Sequence, residues 1–199
     1  MISKLDAGES SRARAFDSLL RPYMPALYRY AWRWTTNRER AEDLVQELLL
    51  RLFPRTEELL QLDLVLPWAV RVMYRIFIDQ HRRANNSPVK SESELFGNGH
   101  DLGQNGLAGL PDPAPEPPEL AERHLLRTRL QLAWQKLSGP HRVVLTLHDI
   151  EGYSLPELAN IFEVPTGTMK SRLHRARAHL RGLLAAESNV TAIRFKKPG

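Results

Sequence analysis

The feature that most constrains this chain is a pair of short amphipathic segments near its C-terminal end. Ser154 and Glu157 have the spacing of a capping box, and Pro156 is tolerated in a first helical turn, so the sequence predicts a helix over about 155–162. A Glu-Val-Pro stretch then ends that helix, and Thr166 can cap a second one. Two helices across so short a turn form a helix-turn-helix.

The second segment, residues 166–181, separates an apolar face from a polar one. Met169, Leu173, Ala176 and Leu180 share one face, while Ser171, His174 and Arg175 point the opposite way, flanked by Lys170 and Arg172. Between residues 168 and 181 there are five cations and no acidic side chain, which suits a polyphosphate partner. The segment is therefore predicted to be a recognition helix that lies in DNA.

An ordinary helical hairpin with a solvated Arg and Lys face is the alternative to this interpretation. The net charge of +5 and the pI near 9.7 favour an acidic partner for the whole chain. The charge is uneven, because residues 84–120 hold one basic and six acidic side chains.

The chain divides around a Pro- and Gly-rich middle segment. Residues 84–118 contain six prolines and five glycines and show no helical or strand periodicity. This composition predicts a flexible, acidic linker that allows the two lobes to be placed independently. A disordered surface insertion would have the same composition.

The N-terminal lobe is predicted to be wholly helical. An amphipathic stretch is interrupted by Pro22 and Pro25 and then resumes. Asn37 can cap a second helix that ends at Pro54, and a third helix is expected from Pro67 to about residue 83. The predicted fold class is therefore all-α, with two small helical domains, the C-terminal one containing the helix-turn-helix.

Two surfaces of the N-terminal lobe suggest binding. One is a polar ridge at i, i+3 and i+4 that could dock a protein, and the other is a cationic helix face that could hold phosphates beside a stacking tyrosine. Each pattern is equally compatible with a solvated helix face. The ridge consists of Asp43, Gln46 and Glu47, and the cationic face of Arg71, Tyr74, Arg75, Arg82 and Arg83.

Several function classes are disfavoured. The chain has no cysteine, its seven histidines include no pair at i, i+4, and it lacks a nucleophile elbow and a P-loop. We therefore expect no metal site, cofactor, small-molecule substrate or catalytic residue. The N-terminus lacks the apolar run of a signal peptide, and a cytoplasmic protein is expected.

Two sets of motifs occur in this chain in a fixed order. AEDLVQELLLRLF and LPWAVRVMYRIFIDQHRR precede the linker, and LSGPHRVVLTLHDIEGYSLPELANIFEVPTGTMKSRLHRARAHL follows it. Together they closely resemble the two conserved domains of an extracytoplasmic-function sigma factor. The resemblance implies a sigma region 2 domain over 12–83, the linker over 84–118, a sigma region 4 domain over 119–184 and a basic tail over 185–199.

The resemblance also implies partners and residue roles. An alternative sigma factor binds RNA polymerase core and directs promoter recognition, DNA melting and initiation, and an anti-sigma factor often restrains it. The ridge residues Asp43, Gln46 and Glu47 would then bind the clamp of the largest polymerase subunit, and the C-terminal domain would lie near the flap of the second. The minus-ten element would be bound by Arg71, Tyr74, Arg75, Asp79, Arg82 and Arg83, and the minus-thirty-five element by Thr168, Lys170, Ser171, Arg172, His174, Arg175 and Arg177.

The chain departs from the family pattern at two positions. Family members commonly have Asn where this chain has Arg75, and a small residue is frequent where Glu163 stands in the turn. The family's preferred minus-ten base is therefore not carried over to this chain. A one-component regulator that uses the helix-turn-helix on duplex DNA without polymerase is the alternative function.

Overall fold

The computed structural model describes residues 2–84 and 118–194, with side chains over 10–83 and 123–186. Residues 85–117 of the predicted linker and residues 195–199 of the predicted tail lie outside the described residues. Within those residues every regular element is helical, so the predicted fold class is confirmed. None of the described helices is long and apolar enough to cross a membrane.

Five α-helices form the N-terminal domain within the described residues 2–84. Helix α1 spans Ile2–Leu20, and a 3-10 turn over Arg21–Tyr23 separates it from α2, Met24–Thr35, where the two prolines were predicted to interrupt the helix. Helix α3 spans Arg38–Leu52, a second 3-10 turn leads to α4, Thr56–Leu59, and α5 spans Val65–Ala84.

The ends of these helices follow local chemistry. The Asn37 side chain accepts a hydrogen bond of 2.9 Å from the backbone N–H of Arg40, which is the predicted cap of α3. Helix α5 begins two residues before Pro67, because the first four N–H groups of a helix have no intrahelical partner and proline loses nothing there. The core of the bundle is formed by fully buried residues that include Trp34, Leu44, Leu48, Met73 and Ile76.

Residues 118–194, the described part of the C-terminal half, form four α-helices. Helix α6 spans Pro118–Lys136, and α7, Gly139–Leu145, widens into a π-turn over Thr146–Ile150. Helix α8 spans Leu155–Phe162, as the sequence predicts, and α9 spans Thr166–Arg194. Helix α9 packs on α6, α7 and α8.

The two domains lie against each other and share a continuous apolar core. Helices α2 and α5 of the N-terminal domain pack on α7, α8 and the π-turn of the C-terminal domain. Gly139 permits this approach, since a Cβ atom there would lie 2.6 Å from Cζ of Phe77. The sequence predicted that the lobes could be placed independently, whereas the structure shows a closed arrangement.

Candidate nucleic-acid interface

The helix-turn-helix has the predicted local chemistry. Ser154 and Glu157 form a reciprocal capping box at the start of α8, and the hydrogen bonds from the Ser154 side chain and backbone lower the pKa of the Glu157 carboxyl. Helix α8 ends at Phe162 and is capped by Glu163, whose backbone is left-handed with φ 54° and ψ 45°. That conformation turns the chain into α9.

One face of α9 is buried and the other is open to solvent. Met169, Leu173 and Ala176 are buried and Leu180 is half-buried, as predicted. Thr168 is half-buried, and its carbonyl accepts the Ser171 hydroxyl at 2.8 Å. The open face presents one hydroxyl, one imidazole and two cations, which is the chemistry that reads base edges and phosphates. Its residues are Lys170, Ser171, His174 and Arg175.

Arg172 corrects one part of the prediction. The sequence predicted that Arg172 flanks the open face of α9, and this prediction is wrong because the residue is only 3% exposed. Arg172 lies three residues after Met169 and four before Ala176, so helical geometry places it in the buried stripe. We therefore leave Arg172 out of the DNA-contacting face.

Arg177 is exposed but pairs within its own domain. Its Nε atom donates to the Asp149 carboxylate at 3.0 Å, and the His148 ring lies 2.8 Å from the same carboxylate. Burial would raise the pKa of Asp149, but the hydrogen bonds from Arg177 and His148 outweigh it and hold that pKa below its ordinary value. Arg177 thus ties α9 to the π-turn.

The predicted minus-ten residues of α5 face the C-terminal domain. Nη1 of Arg71 donates to the Glu163 carboxylate at 3.1 Å, and Arg75 donates to the other oxygen of the same carboxylate. Nη2 of Arg71 also donates to the Asn160 carbonyl at 2.8 Å. One acidic side chain from the turn of the helix-turn-helix therefore engages two of the predicted DNA-binding cations.

Tyr74 lies between these two arginines and is buried. Its ring meets the ring of Phe162 edge to face, with centroids 4.2 Å apart, and the residue is 5% exposed. Farther along α5, Arg83 is exposed, whereas Asp79 and Arg82 are half-buried. The closed arrangement thus covers the N-terminal part of the predicted minus-ten surface.

The predicted polymerase ridge lies on α3, on the side away from its buried stripe. Asp43 and Gln46 are exposed. Glu47 is half-buried, because its carboxylate accepts Nε2 of Gln80 at 2.7 Å and pairs with Arg51. In the structure Glu47 thus joins α3 to α5.

Leu50 extends the same ridge and was missed in the sequence. It follows Gln46 by one helical turn and is 74% exposed. An exposed leucine on a docking ridge supplies apolar contact area that the polar residues lack. Its spacing could have revealed it, because Leu50 falls outside the buried stripe that contains Leu44, Leu48 and Leu52.

A second acidic contact between the domains was also missed. Glu151, which follows the π-turn, pairs with Arg33 and lies 3.5 Å from Arg29, both on α2. Burial raises the pKa of the nearby Tyr30 hydroxyl, and Tyr153 and Glu151 raise it further. These groups form a polar network across the interface.

Two side chains of the C-terminal domain cap the end of α2. Nε1 of Trp134 donates to the Arg33 carbonyl at 3.0 Å, and Nε of Arg142 donates to the Trp34 carbonyl at 2.7 Å. These carbonyls belong to the last turn of α2, which has no intrahelical donors for them. Sequence patterns could not show this, because donors and acceptors lie more than a hundred residues apart.

Comparison with protein families matches both domains. The description "Sigma-70 region 2" fits residues 19–87, and "Sigma-70, region 4" fits residues 127–180. The chain is 31% identical over 185 residues to the ECF RNA polymerase sigma factor SigE of Mycolicibacterium smegmatis, a match that covers 93% of this chain and 67% of the relative. It is 29% identical over 193 residues to SigL of Mycobacterium tuberculosis, covering 96% and 99% of the two chains.

Two solved structures have a similar fold. The sigma factor RpoE from Bartonella quintana, in complex with the anti-sigma factor NepR, superposes with a TM-score of 0.59 at 24% identity and covers 85% of this chain and 96% of that one. CnrH, in complex with the cytosolic domain of CnrY, gives a TM-score of 0.52 at 22% identity, with 91% and 94% covered. At these identities the likeness concerns the fold.

Proposed function

The chain belongs to the extracytoplasmic-function class of RNA polymerase sigma factors, and from this premise we propose which of its surfaces performs each step of promoter recognition. As a member of that class it is an alternative sigma factor that acts with RNA polymerase core in transcription initiation. The one-component regulator is not favoured, because it leaves the region 2 match over residues 19–87 without a role.

The open face of α9 reads the minus-thirty-five element in the major groove. The observation that carries this assignment is the division of α9 into a buried stripe and an opposite face of exposed hydrogen-bonding residues. Arg175 lies centrally on that face, where a guanidinium can contact O6 and N7 of a guanine. Lys170, Ser171 and His174 supply further contacts from the same face, with Thr168 toward the helix start.

Helix α5 binds the opened minus-ten strand once its surface is uncovered. Arg71 and Arg75 supply guanidinium groups for phosphates, and Tyr74 supplies a ring on which a base can stack. Arg82, Arg83 and Asp79 continue this surface toward the end of α5. The contacts of Arg71, Tyr74 and Arg75 with α8 and Glu163 mean that this role requires the domains to separate.

The α3 ridge docks on the clamp of the largest polymerase subunit. Asp43 and Gln46 supply polar contacts, Leu50 supplies apolar area, and Glu47 holds the ridge against α5 through Gln80. The C-terminal domain then lies near the flap of the second large subunit. The contacts with the clamp and the flap together fix the distance between α5 and α9, which carry the two promoter-binding surfaces.

The remaining assignments follow from class membership. A cytoplasmic location agrees with a polymerase partner, and we assign the chain no chemical step of its own. An anti-sigma factor is a further partner, since the solved relatives RpoE and CnrH were captured with NepR and CnrY.

Run-off transcription with purified core polymerase on a genomic promoter library tests this function. The wild-type chain should direct promoter-specific transcripts and identify both promoter elements. Arg75→Gln should bind core normally but form fewer open complexes. A chain that binds duplex promoter DNA tightly by itself and gains nothing from core polymerase would contradict the assignment.

Core binding by the ridge is measured separately with labelled protein. Asp43→Ala with Gln46→Ala should weaken binding to core, whereas Arg38→Ala, on the same helix but off the ridge, should not. Circular dichroism should be unchanged in both variants, because changes of exposed polar residues usually cost under about 0.5 kcal/mol. Undiminished core binding by the double variant would remove the ridge from the interface.

A further inference from the structure

The turn of the helix-turn-helix presents a small surface that fits the minus-ten helix of its own chain. The Glu163 carboxylate lies between the guanidinium groups of Arg71 and Arg75, and the Asn160 carbonyl takes a second hydrogen bond from Arg71. Phe162 packs edge to face on Tyr74. One short segment, residues 160–163, thus contacts three of the predicted minus-ten residues of α5.

The chemistry of this segment matches that of a nucleic-acid strand. A carboxylate and a phosphate both accept hydrogen bonds from arginine in a planar, charge-assisted geometry. An aromatic ring against Tyr74 occupies apolar area that a stacked base would need. Glu163 thus offers Arg71 and Arg75 the kind of acceptor that a backbone phosphate would supply, and Phe162 covers the ring of Tyr74.

We propose that residues 160–163 form an intramolecular docking surface that competes with the single-stranded minus-ten element for Arg71, Tyr74 and Arg75. This inference rests on the proposed assignment of α5 to the minus-ten strand. This docking surface adds to the apolar core and the Arg142 contact that keep the free chain closed, and DNA or polymerase displaces it.

The exposure of the ionic contacts makes this competition reversible. The side chains of Glu163 and Arg75 remain 51% and 57% exposed, so solvent screens their attraction. Each such pair contributes modestly, and a partner with several phosphates can replace both pairs at once. The contact is thus suited to regulation rather than to permanent closure.

The backbone conformation at Glu163 allows substitutions that test the carboxylate without disturbing the turn. Its φ of 54° lies in the left-handed region that favours glycine, so Glu163→Gly removes the carboxylate while the turn keeps its shape. Glu163→Gln removes only the charge. Glu163→Arg places a third cation against Arg71 and Arg75, and Arg75→Glu in the same chain restores an attractive pair.

Domain closure is measured first, in the full chain. Because the sequence has no cysteine, spin labels can be attached through Arg40→Cys and Ala185→Cys, which are exposed positions in the two domains. The labelled chain without further substitutions, the parent, should give one narrow distribution of distances between the two labels. Glu163→Arg should broaden it toward longer distances, and Glu163→Arg with Arg75→Glu should restore it. Glu58→Arg, which reverses an acidic residue paired with Arg55 inside the N-terminal domain, is the control and should not change the distribution.

Strand binding is measured next, by fluorescence anisotropy with a labelled mixed-sequence 12-nucleotide DNA single strand. Glu163→Gln and Glu163→Gly should bind it roughly three- to tenfold more tightly than the parent, the range expected for loss of two partly exposed ion pairs. Glu58→Gln has the same net charge as Glu163→Gln, so it corrects for general electrostatics.

The two measurements distinguish failure of the docking surface from failure of the competition with DNA. A parent-like distance distribution in Glu163→Arg would overturn the docking surface, whatever α5 binds. Opened domains with strand binding no tighter than that of Glu58→Gln would overturn the competition. The minus-ten assignment itself is judged independently by Arg75→Gln in the holoenzyme, where the polymerase already holds the domains apart.

Discussion

Arg142 of the C-terminal domain caps a helix of the N-terminal domain, with its Nε atom 2.7 Å from the carbonyl oxygen of Trp34. The same guanidinium donates to the Leu137 carbonyl at the end of α6, so one buried cation serves the C-terminal ends of two helices. Helix C-termini carry partial negative charge, which favours a cation there. The closed arrangement is therefore held by a specific polar contact as well as by apolar area.

Replacing Arg142 should destabilise the chain substantially. Arg142→Met keeps much of the side-chain volume but leaves buried carbonyl groups without their donor, at a cost of about 1–3 kcal/mol. Chemical denaturation followed by circular dichroism measures this loss. Arg38→Ala, which removes an exposed ion pair with Glu42, is the control and should change the free energy of unfolding by less than about 1 kcal/mol. Equal stability of the two variants would argue against the capping role.

Gly139→Ala should also destabilise the closed chain, although alanine is the better helix former. The added Cβ would lie 2.6 Å from Cζ of Phe77. Phe77 is buried, with its ring centroid 5.7 Å from that of Trp34, so it has little room to move. Overpacking of this kind costs about 1–3 kcal/mol.

The clash at Gly139 can be tested by compensation. Phe77→Leu removes the atom that would collide, so the double variant should lose less stability than the two single variants added together. Thermal unfolding of the four proteins gives this coupling. Additive losses would show that Phe77 does not limit position 139.

Local elements of the fold were predictable because their causes are local. The capping box at Ser154 and the cap at Asn37 each depend on residues three positions apart, and both predictions are confirmed. The pairing of Arg75 with Glu163 joins residues 88 positions apart, so no periodicity could reveal it. Notably, these are the two positions where the sequence departs from the family pattern.

Arg172 shows a different reason for error. Its spacing from Met169 and Ala176 already placed it in the buried stripe, but a cation was assumed to face solvent. Long charged side chains can bury their stems within a packed domain, so spacing outweighs residue type here. The four residues left on the open face of α9 were identified correctly as exposed.

Thr36 should be a site where the chain can be stabilised. It ends α2 with a φ of 54°, a left-handed conformation that is costly for a β-branched residue. Thr36→Gly should raise the free energy of unfolding by about 0.5–1 kcal/mol, whereas Thr36→Val, still β-branched, should not. Urea denaturation of both variants decides this, and a destabilised glycine variant would contradict the strain.

The Asp149 contact should make the C-terminal domain sensitive to acid. The pKa of Asp149 in the folded chain lies below its ordinary value of 3.8, so the folded state binds this proton less readily than the unfolded state. The stabilisation is therefore present above the unfolded pKa and is lost as pH falls through the folded value. Asp149→Asn should lower the thermal midpoint by about 2–4 °C near pH 7, and the difference should shrink as the pH falls below the pKa of an unfolded aspartate. A difference that persists in acid would exclude the carboxylate as its source.

Arg175 and Arg177 should behave differently although both are exposed cations of α9. Arg175 lies centrally on the open face, so Arg175→Ala should cost the holoenzyme about 1–3 kcal/mol at its preferred promoter and relax specificity at one minus-thirty-five position. Run-off transcription on promoters with single-base changes measures both effects. Arg177 is held by Asp149 on the side of α9, so Arg177→Ala should lower domain stability and affect all promoter variants alike. A loss of base discrimination in Arg177→Ala, with normal discrimination in Arg175→Ala, would mean that α9 enters the groove rotated by two residues, or about 200°.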